Sequence, residues 1–418
     1  MLESKEDKNN LISNFFSLSM LQGANMILPL ITLPYLVRVL GVENFGLVNF
    51  SLSIIMFFNI LISFGFELSA TREISVNRNN INIVSEIFSS VLIIKLFLLL
   101  LSLVILSILV VTVDKINQNA ILYYVTFGLV IGNSLFSSWF FQGMEKMKYI
   151  TYINVSVKVF FTLLVFLLVK DEADFIYVAA LTSLGAIVGG IYSLWLVIYK
   201  FRVNIKVQNA SLILRQVKSS YHFFLSGAAN KGYRYYIITL IGISFENIAV
   251  GYYVMAEKLL YAFLSLSSIV SQTLYPYMTR TKNLKLFIKV FFFVLVTAII
   301  ILIPTMYFNE ILLKLIFDIE NEMLSKIFLI IFSGAIFGTI SALIGYPVLA
   351  ALGHAKEANN SLIIASALST LYITIVTLFF KNIFLVSMSA VVFPLILMII
   401  RIYYIHKTKI FSNTDSRC

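Results

Sequence analysis

The sequence predicts an all-α polytopic membrane protein of about twelve transmembrane helices in two six-helix lobes. Three observations predict it. Of 418 residues, 60% are hydrophobic and only 12% charged, and the mean hydropathy is +0.95. A soluble domain of ordinary composition is roughly half apolar and about a quarter charged, so this chain could not cover its own surface in water. Apolar runs of spanning length follow one another along the chain with short connections. The two halves of the chain also resemble each other.

A spanning helix needs about 20 apolar residues at about 1.5 Å rise each. Twelve segments meet this: 14–38, 45–70, 84–112, 120–141, 149–169, 174–199, 220–242, 248–275, 286–308, 324–351, 358–380 and 382–405. The longest connection outside them, about 309–323, is too short to form a domain. The N-terminal MLESKEDKNN is too polar for a cleavable signal peptide, so the first span is expected to serve as the targeting signal.

Lys and Arg set the orientation. With the N-terminus inside, the cytoplasmic side holds Lys5 and Lys8, Arg72 and Arg78, Lys146 and Lys148, the group from Lys200 to Lys218, the group from Arg280 to Lys289, Lys356, and the cations from Arg401 to Arg417. The outer side holds only Arg38, Lys115, Lys170, Lys314, Lys326 and Lys381. Both termini are therefore expected in the cytoplasm. The net charge of +11 is accounted for by these loops and does not call for a nucleic-acid partner. The connection Lys200–Lys218 holds five cations and no acid, and reads as an inter-lobe linker on the anionic inner leaflet. The expected domains are an N-terminal lobe 1–199, a basic cytoplasmic linker 200–219, and a C-terminal lobe with its tail, 220–418.

VLGVENFGLV from Val39 corresponds to LIGISFENIAVGYY from Leu240, pairing Gly41 with Gly242 and Gly46 with Gly251. QGMEK, containing Gly143, corresponds to LGHAK, containing Gly353. Offsets of 201, 205 and 210 residues, near half the chain, point to duplication of a six-helix unit. An even number of spans per copy makes the repeat parallel, about an axis along the membrane normal.

Several residues break the apolar pattern. All six prolines lie within or at the ends of apolar spans. Pro29 and Pro34, with Gly23 upstream, make the first span the expected hinge. Five cations, Lys95, Lys158, Lys231, Arg234 and Lys258, fall inside spans, with Lys158 roughly 14 Å deep at helical rise. A charge at mid-membrane costs upward of ~2.5 kcal/mol and normally faces a bundle interior or a watery cavity. Lys231 and Arg234, three residues apart, share a helix face. For Lys95 and Lys258 the plainer alternative is snorkelling or a structural pair. Glu257 is the acid at comparable depth and the first candidate for ion coupling, with Glu67, nearer the cytoplasmic end, as the second. Excess positive charge within the membrane suits an anionic head-group, whose phosphates Lys and Arg can pair in a hydrated groove.

No catalytic residues are expected. The sequence contains no GxxxxGK[ST], HExxH or GxSxG motif, so no ATP hydrolysis, zinc protease or serine hydrolase chemistry follows. Cys418 is the one cysteine and the three histidines are scattered, so neither a metal site nor a cofactor is expected. The driving force is expected to be an H⁺ or Na⁺ gradient or the membrane potential.

LPYLVRVLGVENFG (Leu33–Gly46), FGFELSATREIS (Phe64–Ser75), WFFQGMEKMKYI (Trp139–Ile150), VGYYVMAEKLL (Val250–Leu260) and SQTLYPYMTR (Ser271–Arg280) resemble the polysaccharide-transporter branch of the multidrug/oligosaccharidyl-lipid/polysaccharide exporter superfamily, and within it the Wzx-type O-antigen repeat-unit flippases. The resemblance runs over almost the whole chain. It implies two six-helix lobes in a MATE-like V, opening alternately to either side of the bacterial cytoplasmic membrane. It implies an undecaprenyl-pyrophosphate-linked oligosaccharide as substrate, with a polysaccharide polymerase and a chain-length regulator as further partners. It implies that cationic residues bind the pyrophosphate; Lys231 and Arg234 occupy the seventh-span cationic position, and Arg38 is a weaker match. Lys158, Lys258 and Lys95 complete the candidate set. Trp139, Phe140 and Gln142, near the inner interface, are expected to form an aromatic belt.

Two rivals remain. A MATE-like drug or cation antiporter would need an acidic membrane site, which the cationic excess disfavours. A membrane glycosyltransferase or O-antigen polymerase commonly carries a large external loop, and none is present.

Overall fold

A computed structural model describes residues 5–408, with side chains from Met20 onward except those of Ser226, Ala229 and Asn230. The apolar runs fold as α-helices, because in hydrocarbon a helix satisfies its own backbone donors and acceptors. In chain order these are α1 (Lys5–Ser63), α2 (Phe66–Asn77), α3 (Ile81–Thr112), α4 (Asp114–Asn117), α5 (Ala120–Leu135), α6 (Ser138–Gly143), α7 (Lys148–Leu168), α8 (Phe175–Trp195), α9 (Ala210–Ser244), α10 (Asn247–Thr281), α11 (Leu284–Tyr307), α12 (Asn309–Phe317), α13 (Glu322–Ser333), α14 (Ala335–Ile344), α15 (Ala355–Phe379), α16 (Ile383–Ser387) and α17 (Ser389–Lys407). Short π-helical turns extend α8 at Leu196–Lys200 and α14 at Gly345–Ala350.

Among the described residues ten helices are long and apolar enough to cross a membrane. The chain is an all-helical, multi-pass membrane protein. One of the ten, Met20–Asn77, is 58 residues long and covers two of the expected spans. Its division lies at Gly41, whose φ of 72° and ψ of 164° are not helical. Pro29 and Pro34 sit in helical backbone on the N-terminal side of that kink. Glycine takes such a conformation without the clash a Cβ would cause. The kink docks on the connection after α7, where the Asn44 side-chain amide donates to the Glu172 carbonyl at 3.0 Å. α9 is not among the ten; it is 35 residues long and carries Arg215, Lys218, Lys231 and Arg234.

The chain forms two compact units, residues 1–235 and 236–418, so the division falls within α9. In the first, α5 and α8 make the most extensive helix pairing. They approach so closely that a Cβ on Gly190 would collide with the Gly132 carbonyl. Leu40, Val165, Val169, Val178 and Leu181 pack a core near the Gly41 kink. In the second unit, Leu274, Met278, Phe287, Val348, Leu349 and Ala358 form the main cluster. Outward faces are apolar: Phe97, Leu100, Val104 and Ile108 of α3, and Phe292, Phe293, Val296 and Ile300 of α11, are exposed. Water would penalise such stripes and a bilayer does not.

Two pairs of helices start about half a chain apart. α3 and α11 begin at Ile81 and Leu284, 203 residues apart, and α7 and α15 begin at Lys148 and Ala355, 207 apart. The basic connection is tied down rather than loose. Ser89 Oγ donates to the Asn204 carbonyl at 3.3 Å, and the Asn204 and Lys206 backbone N–H groups donate to Ser85 and Ser89 Oγ, both at 3.1 Å. From Ala210 onward the same connection is already helix α9.

Candidate functional site

The site grows from a helix break between α1 and α2. α1 ends at Ser63, and Phe64 and Gly65 take positive φ values of 38° and 76°. A Cβ on Gly65 would lie 2.7 Å from the Phe224 backbone nitrogen and 2.8 Å from the Ser220 carbonyl oxygen. The break restarts the helix with Glu67 in the first turn of α2, where the helix dipole favours an anion. Glu67 Oε2 accepts from Lys231 Nζ at 3.0 Å, with side-chain exposures of 51% and 56%. An exposed pair of this kind contributes about 0.2–1 kcal/mol, so it is readily exchanged.

Beside Glu67 lies a polar cavity of ≈ 180 Å³ lined also by Asn59, Ser63, Lys95, Asn133, Ser138 and Trp139. Asn133 Nδ2 donates to Asn59 Oδ1 at 3.1 Å. Lys95 is 5% exposed. It does not snorkel to an interface; α3 carries it into the bundle, where it shares the cavity with Glu67. The Trp139 Nε1 donor is buried without a hydrogen-bond partner among the described residues. Its ring is stacked on Phe88 at 5.3 Å. Trp139, Phe140 and Phe141 are all at most 2% exposed. Phe140 and Phe141 also pack on Phe201. The expected interfacial belt is therefore a buried aromatic cluster: α6 is only six residues long and turns these rings inward.

A second cavity, of ≈ 490 Å³, shares Asn133 and Phe136 with the first. One of its walls is α7, which presents Asn154, Lys158 and Thr162 at four-residue spacing, hence on one helix face. Lys158 donates to the Asn25 side-chain oxygen. Tyr235, at the end of the α9 segment that carries Lys231 and Arg234, also lines it. The first unit thus places Lys95, Lys158, one carboxylate and a run of amides and hydroxyls along two adjoining cavities, with Lys231 paired to that carboxylate. Such a set can hold phosphate oxygens.

The other candidates lie elsewhere. Arg234, half-buried, is three residues along α9 from Lys231. Arg38 is exposed near the Gly41 kink and lines neither cavity. Glu257, 3% exposed, and Lys258, half-buried, belong to the second unit. Among the described residues no group of three or more His, Cys, Asp or Glu could hold a metal ion.

Sequence reading missed Arg401. It counts as a cytoplasmic cation by position, yet it is 4% exposed. Its Nε donates to Ser361 Oγ at 3.2 Å, and its guanidinium also donates to the Ser341 carbonyl. Gly345 lies against the guanidinium, where a Cβ would come within 2.6 Å of Cζ.

The helix order, the two units and these cavities describe a polytopic membrane protein of transporter architecture. The fold is similar to that of a structure described as "Lipid II flippase MurJ, inward closed conformation", with a TM-score of 0.74 at 14% identity, covering 95% of this chain and 87% of that one. It is also similar to an inward-facing multidrug resistance MATE family transporter of the MOP superfamily, with a TM-score of 0.60 at 12% identity, covering 96% and 100%. In sequence, residues 11–282 match the family described as "Polysaccharide biosynthesis protein". The chain belongs to that family. A "Putative O-antigen transporter" of Escherichia coli (strain K12) is 27% identical over 405 residues, covering 94% of this chain and 98% of its own. A protein of the same description from Shigella dysenteriae is 29% identical over 273 residues, covering 65% and 68%.

Proposed function

We propose that this protein is a flippase that moves an undecaprenyl-pyrophosphate-linked oligosaccharide, an O-antigen-type repeat unit, from the inner to the outer leaflet of the bacterial cytoplasmic membrane. The observation that carries the reading is that Lys95 and Lys158 line two cavities sharing Asn133 and Phe136, and Lys231 pairs with Glu67 beside the first, in a chain with O-antigen transporter relatives. Lys231, exposed and weakly held, is the group that would meet the pyrophosphate first, with Arg234 beside it and Lys158 further along. The polar walls would serve the sugar, and the polyprenyl tail would stay in lipid. We read the chain as twelve spans with both termini cytoplasmic, made of two parallel six-helix repeats. This draws on the kink at Gly41, the length of α9 and the half-chain spacing of the two helix pairs. Transport proceeds by alternating exposure of the site to the two sides. The membrane potential favours outward movement of an anion by about 2.3 kcal/mol per charge per 100 mV.

The test is complementation in a flippase-deletion strain, with analysis of its lipid-linked intermediates. Wild-type protein clears accumulated inner-leaflet repeat units and restores polymer. Lys231→Ala and Arg234→Ala are each expected to fail at normal membrane abundance. Full complementation by both would remove these residues from the substrate site.

A further inference from the structure

The first half of α9 lies against the end of α1 and α2 in constant antiparallel register. The Gln216 side-chain amide donates to Glu73 Oε2 at 2.7 Å. The hydroxyls of Ser69 and Ser220, both buried, are 2.7 Å apart. Gly65 abuts the Phe224 backbone, and the Phe64 and Phe224 rings stack at 4.9 Å. Phe57 reaches Gly232, its ring 4.0 Å from where a Cβ would stand. Residues 73, 69, 65 and 57 thus meet 216, 220, 224 and 232: each step back on one side matches an equal step forward on the other. These contacts run along α9 on one side and along the end of α1, the Gly65 break and α2 on the other; the four- and eight-residue steps keep 216, 220, 224 and 232 on one face of α9.

Lys231 departs from the register. The position opposite it is 58, yet its ammonium reaches Glu67, on the far side of the Gly65 break. Packing does not impose this bond; a long, exposed side chain makes it. Glu67 has a second ammonium within reach of the same cavity, that of buried Lys95. A carboxylate that gives up Lys231 is therefore not left uncompensated.

We propose that Glu67 is a positioning residue that holds Lys231 on the ladder until a pyrophosphate takes the ammonium, and that breaking this pair lets residues 216–232 separate from residues 57–73. The exchange conserves charge pairing: Lys231 passes from carboxylate to phosphate while Glu67 turns to Lys95. The buried serine and amide rungs then part as a unit. Anion binding and release of the ladder become one event. This rests on the reading of Lys231 as a phosphate-binding group.

The test uses the full chain in membrane vesicles, with Cys418→Ser and the pair Ser69→Cys/Ser220→Cys, whose hydroxyl contact brings the two Cβ atoms near disulfide distance. The rate of oxidative cross-linking reports how often the ladder is closed. Farnesyl pyrophosphate is the probe and farnesol the control. The probe is expected to slow cross-linking at least about fivefold, the lower end of ordinary coupling between sites, and farnesol to leave it unchanged. Glu67→Gln is expected to cross-link slowly from the outset while still binding the probe, a readout that a merely structural role for Glu67 would not move. Should the serine pair not accumulate, Glu73→Cys/Gln216→Cys reads the neighbouring rung with a short bifunctional thiol cross-linker, because those two side chains meet at their ends. Cross-linking unaffected by bound probe, or a Glu67→Gln protein cross-linking at the parent rate, overturns the latch and leaves the phosphate site standing. A parent protein that does not bind the probe at all overturns both.

Discussion

Lys231 and Arg401 carry the same charge in opposite settings. Lys231 belongs to the first unit, is more than half exposed, and holds a carboxylate it can give up. Arg401 belongs to the second, is 4% exposed, and is held by a hydroxyl and a backbone carbonyl beside Gly345. Among the described residues no carboxylate forms an ion pair with Arg401. A buried cation with neutral partners has its desolvation cost already met by fixed geometry and has no room for a ligand. It ties the interrupted stretch around Gly345 to α17. An exposed, weakly paired cation has the reverse properties. Position along an apolar run therefore does not distinguish the two cations; burial and partners do.

The most disruptive way to break this contrast is at the helix break beside Glu67, the partner of Lys231. Gly65→Ala puts a Cβ against the Phe224 and Ser220 backbone at positive φ. We expect loss of transport and a fall in stability of several kcal/mol, about 1–2 from the backbone conformation alone and the rest from the collision. Wild-type complementation and an unchanged unfolding midpoint in detergent would show that the α1–α2 break does not set the site. A smaller effect separates the two cations. Arg401→Ala leaves a cavity and is expected to lower stability by about 3 kcal/mol. Arg401→Met, which fills most of the space, is expected to cost about 1 kcal/mol or less. Both should transport normally per folded molecule. Transport lost in Arg401→Met at normal stability would make Arg401 a working residue after all.

Much of the fold is legible in the sequence, because about 20 apolar residues in a row leave few options. The bend was harder. Pro29 and Pro34 signal a kink by removing hydrogen bonds, yet helical backbone runs through both and breaks at Gly41. A proline favours a bend, whereas the tertiary contacts of Asn44 and Glu172 decide where the chain turns. The five cations within apolar runs could be picked out from the sequence, and Lys95, Lys158 and Lys231 belong to the first unit. Their partner could not: Glu67 and Lys231 are 164 residues apart, and no local spacing links them. The Gln216, Ser220 and Phe224 rungs were hidden for a similar reason. They lie in or just past a stretch whose basic composition reads as a surface linker, while its other face packs on α2. Arg401 was hidden by its position at the end of an apolar run, where cytoplasmic cations are the usual expectation. Trp139 and its neighbours likewise have belt composition but turn inward.

The central claim is that Lys231 faces water inside the membrane. Lys231→Cys in a Cys418→Ser background, treated in intact vesicles with a small charged thiol reagent, tests it most directly. Phe293→Cys, on an exposed apolar face of α11, is the lipid-facing control. Rapid modification of the residue-231 thiol, slowed by farnesyl pyrophosphate, is the expected result. Protection equal to that of the residue-293 control would contradict it.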